Sequence, residues 1–113
     1  MRALKSLAVL LAFICHVPLV LADDASVTIS SPSNNAKLGR TAQTKITYEV
    51  IPGSKGDHTH LYVDDKEVGV LRQLKGSHTL ESLAPGKHEI CIKVVNKGHT
   101  PIGVQQCIKV SVE

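Results

Sequence analysis

From residue 26 onward this chain is patterned with a period of two. In Lys87–Val95, Ile90, Ile92 and Val94 share one parity, and Glu89, Cys91 and Lys93 share the other. In Val104–Val112, Ile108, Val110 and Val112 alternate in the same way with Cys107, Lys109 and Ser111. Successive strand side chains point to opposite faces, so each run reads as a strand with one apolar and one polar face. Further runs rich in Val, Ile and Thr occupy residues 26–30, 44–51, 58–63, 66–71 and 77–83. Clusters such as Ser31-Pro32-Ser33-Asn34-Asn35, Pro52-Gly53-Ser54-Lys55-Gly56-Asp57, Asp64-Asp65, Lys75-Gly76 and Ala84-Pro85-Gly86 separate them, and these are turn chemistry. No stretch after residue 22 carries apolar residues at helical spacing. The pattern predicts an all-β fold, a small antiparallel β-sandwich of about seven strands.

Residues 1–22 are expected to lie outside that fold. Arg2 and Lys5 precede an apolar run from Leu7 to Leu21, and Val20-Leu21-Ala22 offers a cleavage site before Asp23-Asp24. This is the pattern of a cleaved secretory signal peptide, implying a periplasmic or secreted protein. The expected mature chain, residues 23–113, is one domain, near the lower size limit for independent folding. No later stretch reaches membrane-spanning length, so no membrane span is expected after cleavage. Losing Arg2 and Lys5 leaves 11 basic against 10 acidic residues, and Tyr48 and Tyr62 are the only aromatic residues remaining of Phe, Trp and Tyr. Neither a basic patch nor a stacking platform for nucleic acid survives.

Two cysteines remain, Cys91 and Cys107. An even count in an exported chain predicts a disulfide, with a pair of metal-binding thiols as the alternative. A hairpin centred on His99 sets the two cysteines opposite one another on the polar faces of neighbouring strands. The expected bridge is therefore cross-strand, on the outer surface of one sheet.

The histidines carry the most chemistry. His58 and His60 are two apart in a predicted strand and share a face. A third imidazole from a neighbouring loop completes a three-nitrogen site of a kind suited to Cu(II) or Zn(II), and Asp57 could add an oxygen. Met1 is the only methionine, which disfavours a thioether Cu(I) site. Each residue also has a plainer reading: His58 and His60 as polar strand residues, His99 as a turn residue, His78 as a half-buried side chain. His88 is expected to tie down the Pro85-Gly86 corner, and Asp64-Asp65 to form a turn.

The stretch Ser77–His88, with Leu83-Ala84-Pro85-Gly86, resembles the corner of fibronectin type III and related immunoglobulin-like domains. The segments His58-x-His60-Leu61-x-Val63-Asp64, Leu83-Ala84-Pro85-Gly86-Lys87-His88 and His99-Thr100-Pro101 are similar to small exported bacterial proteins of the domain-of-unknown-function 4399 group. That resemblance implies a periplasmic immunoglobulin-like sandwich and supplies no activity. Thr59 stands where a further histidine often sits in that group, and the two cysteines are a further departure. In an immunoglobulin-like sandwich the loop before His58, the turn before Ser77 and the loop holding His99 share one end. His58, His60, His78 and His99 are thus expected to gather at one pole, with His88 at the other.

Nothing in the sequence marks an enzyme: there is no nucleophile elbow, no pair of carboxylates in a pKa-shifting context and no Gly-rich phosphate loop. Two functions follow from the residues. One is a periplasmic binding domain holding copper or zinc at the histidine pole. The other is a metal-free interaction or accessory module that docks an envelope protein through the same pole or an edge strand.

Overall fold

A computed structural model describes residues 24–113; the signal-peptide expectation for residues 1–22 falls outside the described residues. Eight strands form two sheets: β1 (Ser26–Ser31), β2 (Ala36–Leu38), β3 (Thr44–Ile51), β4 (His58–Val63), β5 (Lys66–Leu71), β6 (Lys75–Leu80), β7 (Gly86–Val95) and β8 (Pro101–Val112). One sheet has the order β1-β3-β6, the other β2-β8-β7-β4-β5. The described residues contain no helix.

The period-two pattern has the expected physical outcome. Ile46, Tyr48 and Val50 of β3 face Leu61 of β4, Ile90, Ile92 and Val94 of β7, and Ile108 and Val110 of β8 across the inter-sheet space. Burial of such aliphatic side chains contributes roughly 1.5–3 kcal/mol each. Tyr48 is the one aromatic ring in this core, so the core is built almost wholly from small aliphatic groups.

Three details differ from the sequence expectation. β2 is an added short strand, paired parallel to β8 through Ala36, Lys37 and Leu38. It is held in place by the turn cluster before it, where Asn34 Oδ1 accepts the Lys109 N–H at 2.8 Å and Asn35 N–H donates to the Lys109 carbonyl at 2.6 Å. Three residues are too few for a periodicity to register. β6 begins at Lys75, not after a Lys75-Gly76 turn, because Gly76 pairs with Tyr48 and Lys75 with Glu49. It also ends at Leu80, short of Leu83. β8 begins at Pro101, three residues earlier than the alternation alone suggested.

The last hairpin is centred on His99 as the parity requires, with Ile90 opposite Ile108 and Cys91 opposite Cys107. The Cys91–Cys107 disulfide is formed. It lies on the face of the sheet away from the core, in the same cross-strand row as Tyr62. Cys91 is nonetheless buried at 3% exposure. Asp64 and Asp65 both adopt positive φ, 51° and 67°, as a two-residue turn between β4 and β5 demands.

Candidate metal centre

β4 enters the five-stranded sheet from the loop 52–57. Gly56 is fixed there by close approach: a Cβ would overlap the Pro52 carbonyl oxygen and the Val94 side chain. That tight passage delivers Asp57 beside His58. The alternation of β4 then turns Thr59 and Leu61 toward the core, both fully buried, and sends His58, His60 and Tyr62 to the other face. Thr59 therefore does not stand in for a lost ligand. A histidine at that position would point between the sheets.

The third imidazole comes from the β7–β8 turn. Asn96 N–H donates to the Thr100 carbonyl and His99 N–H to the Asn96 carbonyl, each at 2.9 Å. The Asn96 side-chain oxygen accepts from the N–H groups of Gly98 and Thr100, at 2.9 and 3.0 Å. His99 itself has φ 66°. A left-handed residue closing a three-residue hairpin loop is ordinarily glycine, and a side chain there carries a conformational cost. The turn folds the imidazole back over β4.

The result is a near-equilateral triangle of ring nitrogens. His58 Nε2 lies 3.2 Å from His60 Nε2 and 3.2 Å from His99 Nδ1, and His60 Nε2 lies 3.0 Å from His99 Nδ1. His58 and His60 are almost completely buried, at 2% and 3% exposure, while His99 is exposed. The far nitrogens of the buried pair face carboxylates. His58 Nδ1 is 2.9 Å from Asp57 Oδ2. His60 Nδ1 is 3.1 Å from Glu67 Oε1 on β5, out of line for a hydrogen bond, so this contact is electrostatic and the nitrogen is otherwise unpartnered. At His58 the Asp57 carboxylate keeps the proton on Nδ1 and leaves Nε2 as a bare lone pair.

The three nitrogens lie within hydrogen-bond distance of one another, so a ring proton or a cation can hold each pair together. The single ring N–H of a neutral His99 can satisfy at most one of the two facing lone pairs. Burial holds His60 below the ordinary imidazole pKa, His58 and His99 push the same way, and Glu67 opposes them. The neutral, ligating form is thus favoured over the protonated one. His58, His60 and His99 together meet the geometric requirement for a metal ion; Asp57 does not join them, since its oxygen engages the opposite side of the His58 ring.

The other histidines are elsewhere. β6 starts at the expected end of the sandwich, but His78 is its fourth residue, opposite Ile46 and past the middle of the strand. Its ring packs over Gly69 of β5, where a Cβ would lie 3.4 Å from Cε1. It fills the gap between two sheet edges and does not meet the other three. His88 is at the far pole, as expected. Its Nδ1 lies 2.6 Å from Asp64 Oδ2 and its Nε2 2.7 Å from the Ala84 carbonyl. With both ring nitrogens facing acceptors, its pKa is raised, first by Asp64 and then by Ala84.

The carboxylate partner Glu67 escaped the sequence reading. It stands in a strand where nothing distinguishes it from Lys66, and the irregular pairing between Leu61 and Tyr62 turns it toward β4. Lys93, with Nζ 4.3 Å from the Tyr62 ring centroid, borders the same face.

Comparison with protein-family models and with curated proteins gives no match, so the similarity to the 4399 group rests on the motifs alone. Among solved structures the chain has the fold of fibronectin type III-like domains. It aligns with the fibronectin(III)-like modules of CbhA from Clostridium thermocellum at 18% identity and TM-score 0.65, covering 77% of this chain and 96% of that one. It aligns with a lytic polysaccharide monooxygenase from Jonesia denitrificans at 19% identity and TM-score 0.51, covering 73% and 60%. The CARDB domain of PF1109 from Pyrococcus furiosus, solved in complex with di-metal ions, aligns at 18% identity and TM-score 0.50, covering 79% and 92%. At these identities the likeness is one of fold.

Proposed function

We propose that this protein is an exported binding domain that holds a divalent transition-metal ion, Cu(II) or Zn(II), through His58, His60 and His99. One observation carries the reading: three ring nitrogens from two separate elements converge to 3.0–3.2 Å of one another. Two supporting features point the same way. Carboxylates back the buried pair of imidazoles, the arrangement by which proteins orient metal-ligating histidines. His99 occupies a left-handed turn position that glycine would fill at lower cost, and strain of this kind collects where function requires it. The disulfide accords with an oxidising compartment, and the signal-peptide pattern with the periplasm or the exterior. The role we assign is binding, for storage, delivery or sensing, with no catalysis.

Titration of the purified domain with Zn(II) and Cu(II) by calorimetry tests this. One-to-one binding at micromolar affinity or better, abolished in the His58→Ala, His60→Ala double variant, is the expected result. Weak binding unchanged by the double substitution removes the reading.

A second reading, a metal-free accessory module, has its own observation. The edge strand β5 exposes Val68 and Val70, at 45% and 43%. An edge with exposed apolar side chains suits strand addition by an envelope protein. Crosslinking to such a partner, with no metal response, favours it.

A further inference from the structure

The shape of the nitrogen triangle says more than that a metal fits. An ion at the usual zinc–imidazole distance of about 2.0–2.1 Å from all three nitrogens sits roughly 1 Å above their plane, with N–metal–N angles of about 94–103°. The three nitrogens thus cap one face of the ion. A square-planar Cu(II) site that takes all three nitrogens in its plane needs two of them trans, about 4 Å apart at such bond lengths. No pair in this triangle exceeds 3.2 Å. Nor can the ligands easily spread. His58 and His60 are fixed in one strand between β5 and β7, and His99 is fixed in a turn with four internal hydrogen bonds.

The remaining coordination position has no owner. Among the described residues no fourth His, Cys, Asp or Glu ligand atom joins the group. Asp57 and Glu67 both lie behind the rings, on the Nδ1 side. The triangle borders solvent at His99, its exposed member. Closed structural zinc sites supply four protein ligands, and a three-ligand set leaves a position for an exchangeable donor.

Resting on the metal reading above, we propose that the site holds a tetrahedral ion, Zn(II) in preference to Cu(II), and takes its fourth ligand from outside the domain. That ligand is a small monodentate donor, an imidazole or an anion such as azide in the test tube, and an equivalent side chain of a metal-exchanging partner in the protein's own setting. Asp57 and Glu67 offset the charge of a divalent ion, so a neutral imidazole donor suits the site best. The hairpin tip is then a transfer surface, where an ion passes without first being stripped of all its ligands.

Cobalt(II) reports on this directly, because four-coordinate Co(II) absorbs strongly in the visible and six-coordinate Co(II) weakly. The experiment loads the mature domain with one equivalent of Co(II), records the spectrum, and titrates imidazole and then azide. The expected result is the strong four-coordinate spectrum, shifted saturably by one equivalent of imidazole bound, with Zn(II) displacing the Co(II). In His99→Gly, which the turn accommodates, two imidazoles bind in succession and the four-coordinate spectrum returns only after the second. A weak six-coordinate spectrum, or a strong one that no added donor shifts, overturns the open tetrahedral site while leaving metal binding intact. Cu(II) bound with a tetragonal, three-nitrogen electron paramagnetic resonance signal overturns the preference. Failure of Co(II) and Zn(II) to bind while Cu(II) binds overturns this proposal alone; failure of all three removes the underlying metal reading with it.

Discussion

His60 Nε2 and His99 Nδ1 lie 3.0 Å apart across 39 residues of sequence. His99 reaches that point only because its backbone takes φ 66°. The turn would relax with glycine, and relief of left-handed strain is worth about 1 kcal/mol. His99→Gly is therefore expected to stabilise the metal-free domain by roughly 0.5–1 kcal/mol while sharply weakening metal binding. Urea unfolding in the presence of a chelator, beside a Zn(II) titration, checks both halves. A destabilised variant would show that the imidazole is structural.

Asp57 touches no expected ion, yet it fixes the proton on His58 Nδ1. Asp57→Asn keeps the shape and loses the charge. Metal affinity is expected to fall about 10- to 100-fold with little change in fold, the usual effect of removing such a partner. Calorimetry on the variant, with circular dichroism as a control, gives the answer; unchanged affinity would sever the link between Asp57 and the site.

At the opposite pole His88 and Asp64 make a pH-dependent clasp. The folded pKa of His88 is raised above 6.5, so its contribution is complete below pH 6.5 and disappears as pH rises through the folded value. The Asp64 pKa is lowered below 3.8, chiefly by the Glu89 N–H and then by His88. Its contribution is complete above pH 3.8 and disappears as pH falls through the folded value. The clasp is strongest between these limits. His88→Gln should cost about 1 kcal/mol in that window, a modest figure because Asp64 is half exposed, and less at pH 9. A flat difference in stability from pH 5 to 9 would count against the clasp.

The cross-strand bridge closes a loop with a sequence separation of 16. Replacing both cysteines with alanine is expected to cost about 2–4 kcal/mol, measured by denaturant unfolding. With a core so poor in rings, that is a large share of the stability a domain of this size commands. A loss below 0.5 kcal/mol would mean that the aliphatic core alone sets the register.

The sandwich was legible because its physics is local. Parity along β7 and β8 sorts Ile90, Ile92 and Val94 from Cys91 and Lys93, and the symmetric spacing of the cysteines about His99 sets the hairpin register. The strand pair His58 and His60 was legible for the same reason. What was not legible depends on depth and tilt. The strand of His78 starts at the right end of the fold, but His78 lies past its middle, so it packs over Gly69 and not beside His99. Glu67 becomes a neighbour of His60 through an irregularity in the β4–β5 ladder, and no pattern in Lys66-Glu67-Val68 signals that. β2 is too short to carry a period.

The two cross-links of the last hairpin occupy different heights. The disulfide joins β7 to β8 partway down, and an ion at the tip would join His99 to β4. The loop closed through the ion runs from His60 to His99, a separation of 39, and overlaps the one closed by the disulfide. Longer closures remove more freedom from the unfolded chain. A domain loaded in the proposed way would be doubly laced, and removing the ion would release the thread that ties β4 to the last hairpin, leaving the chain more open to proteolysis.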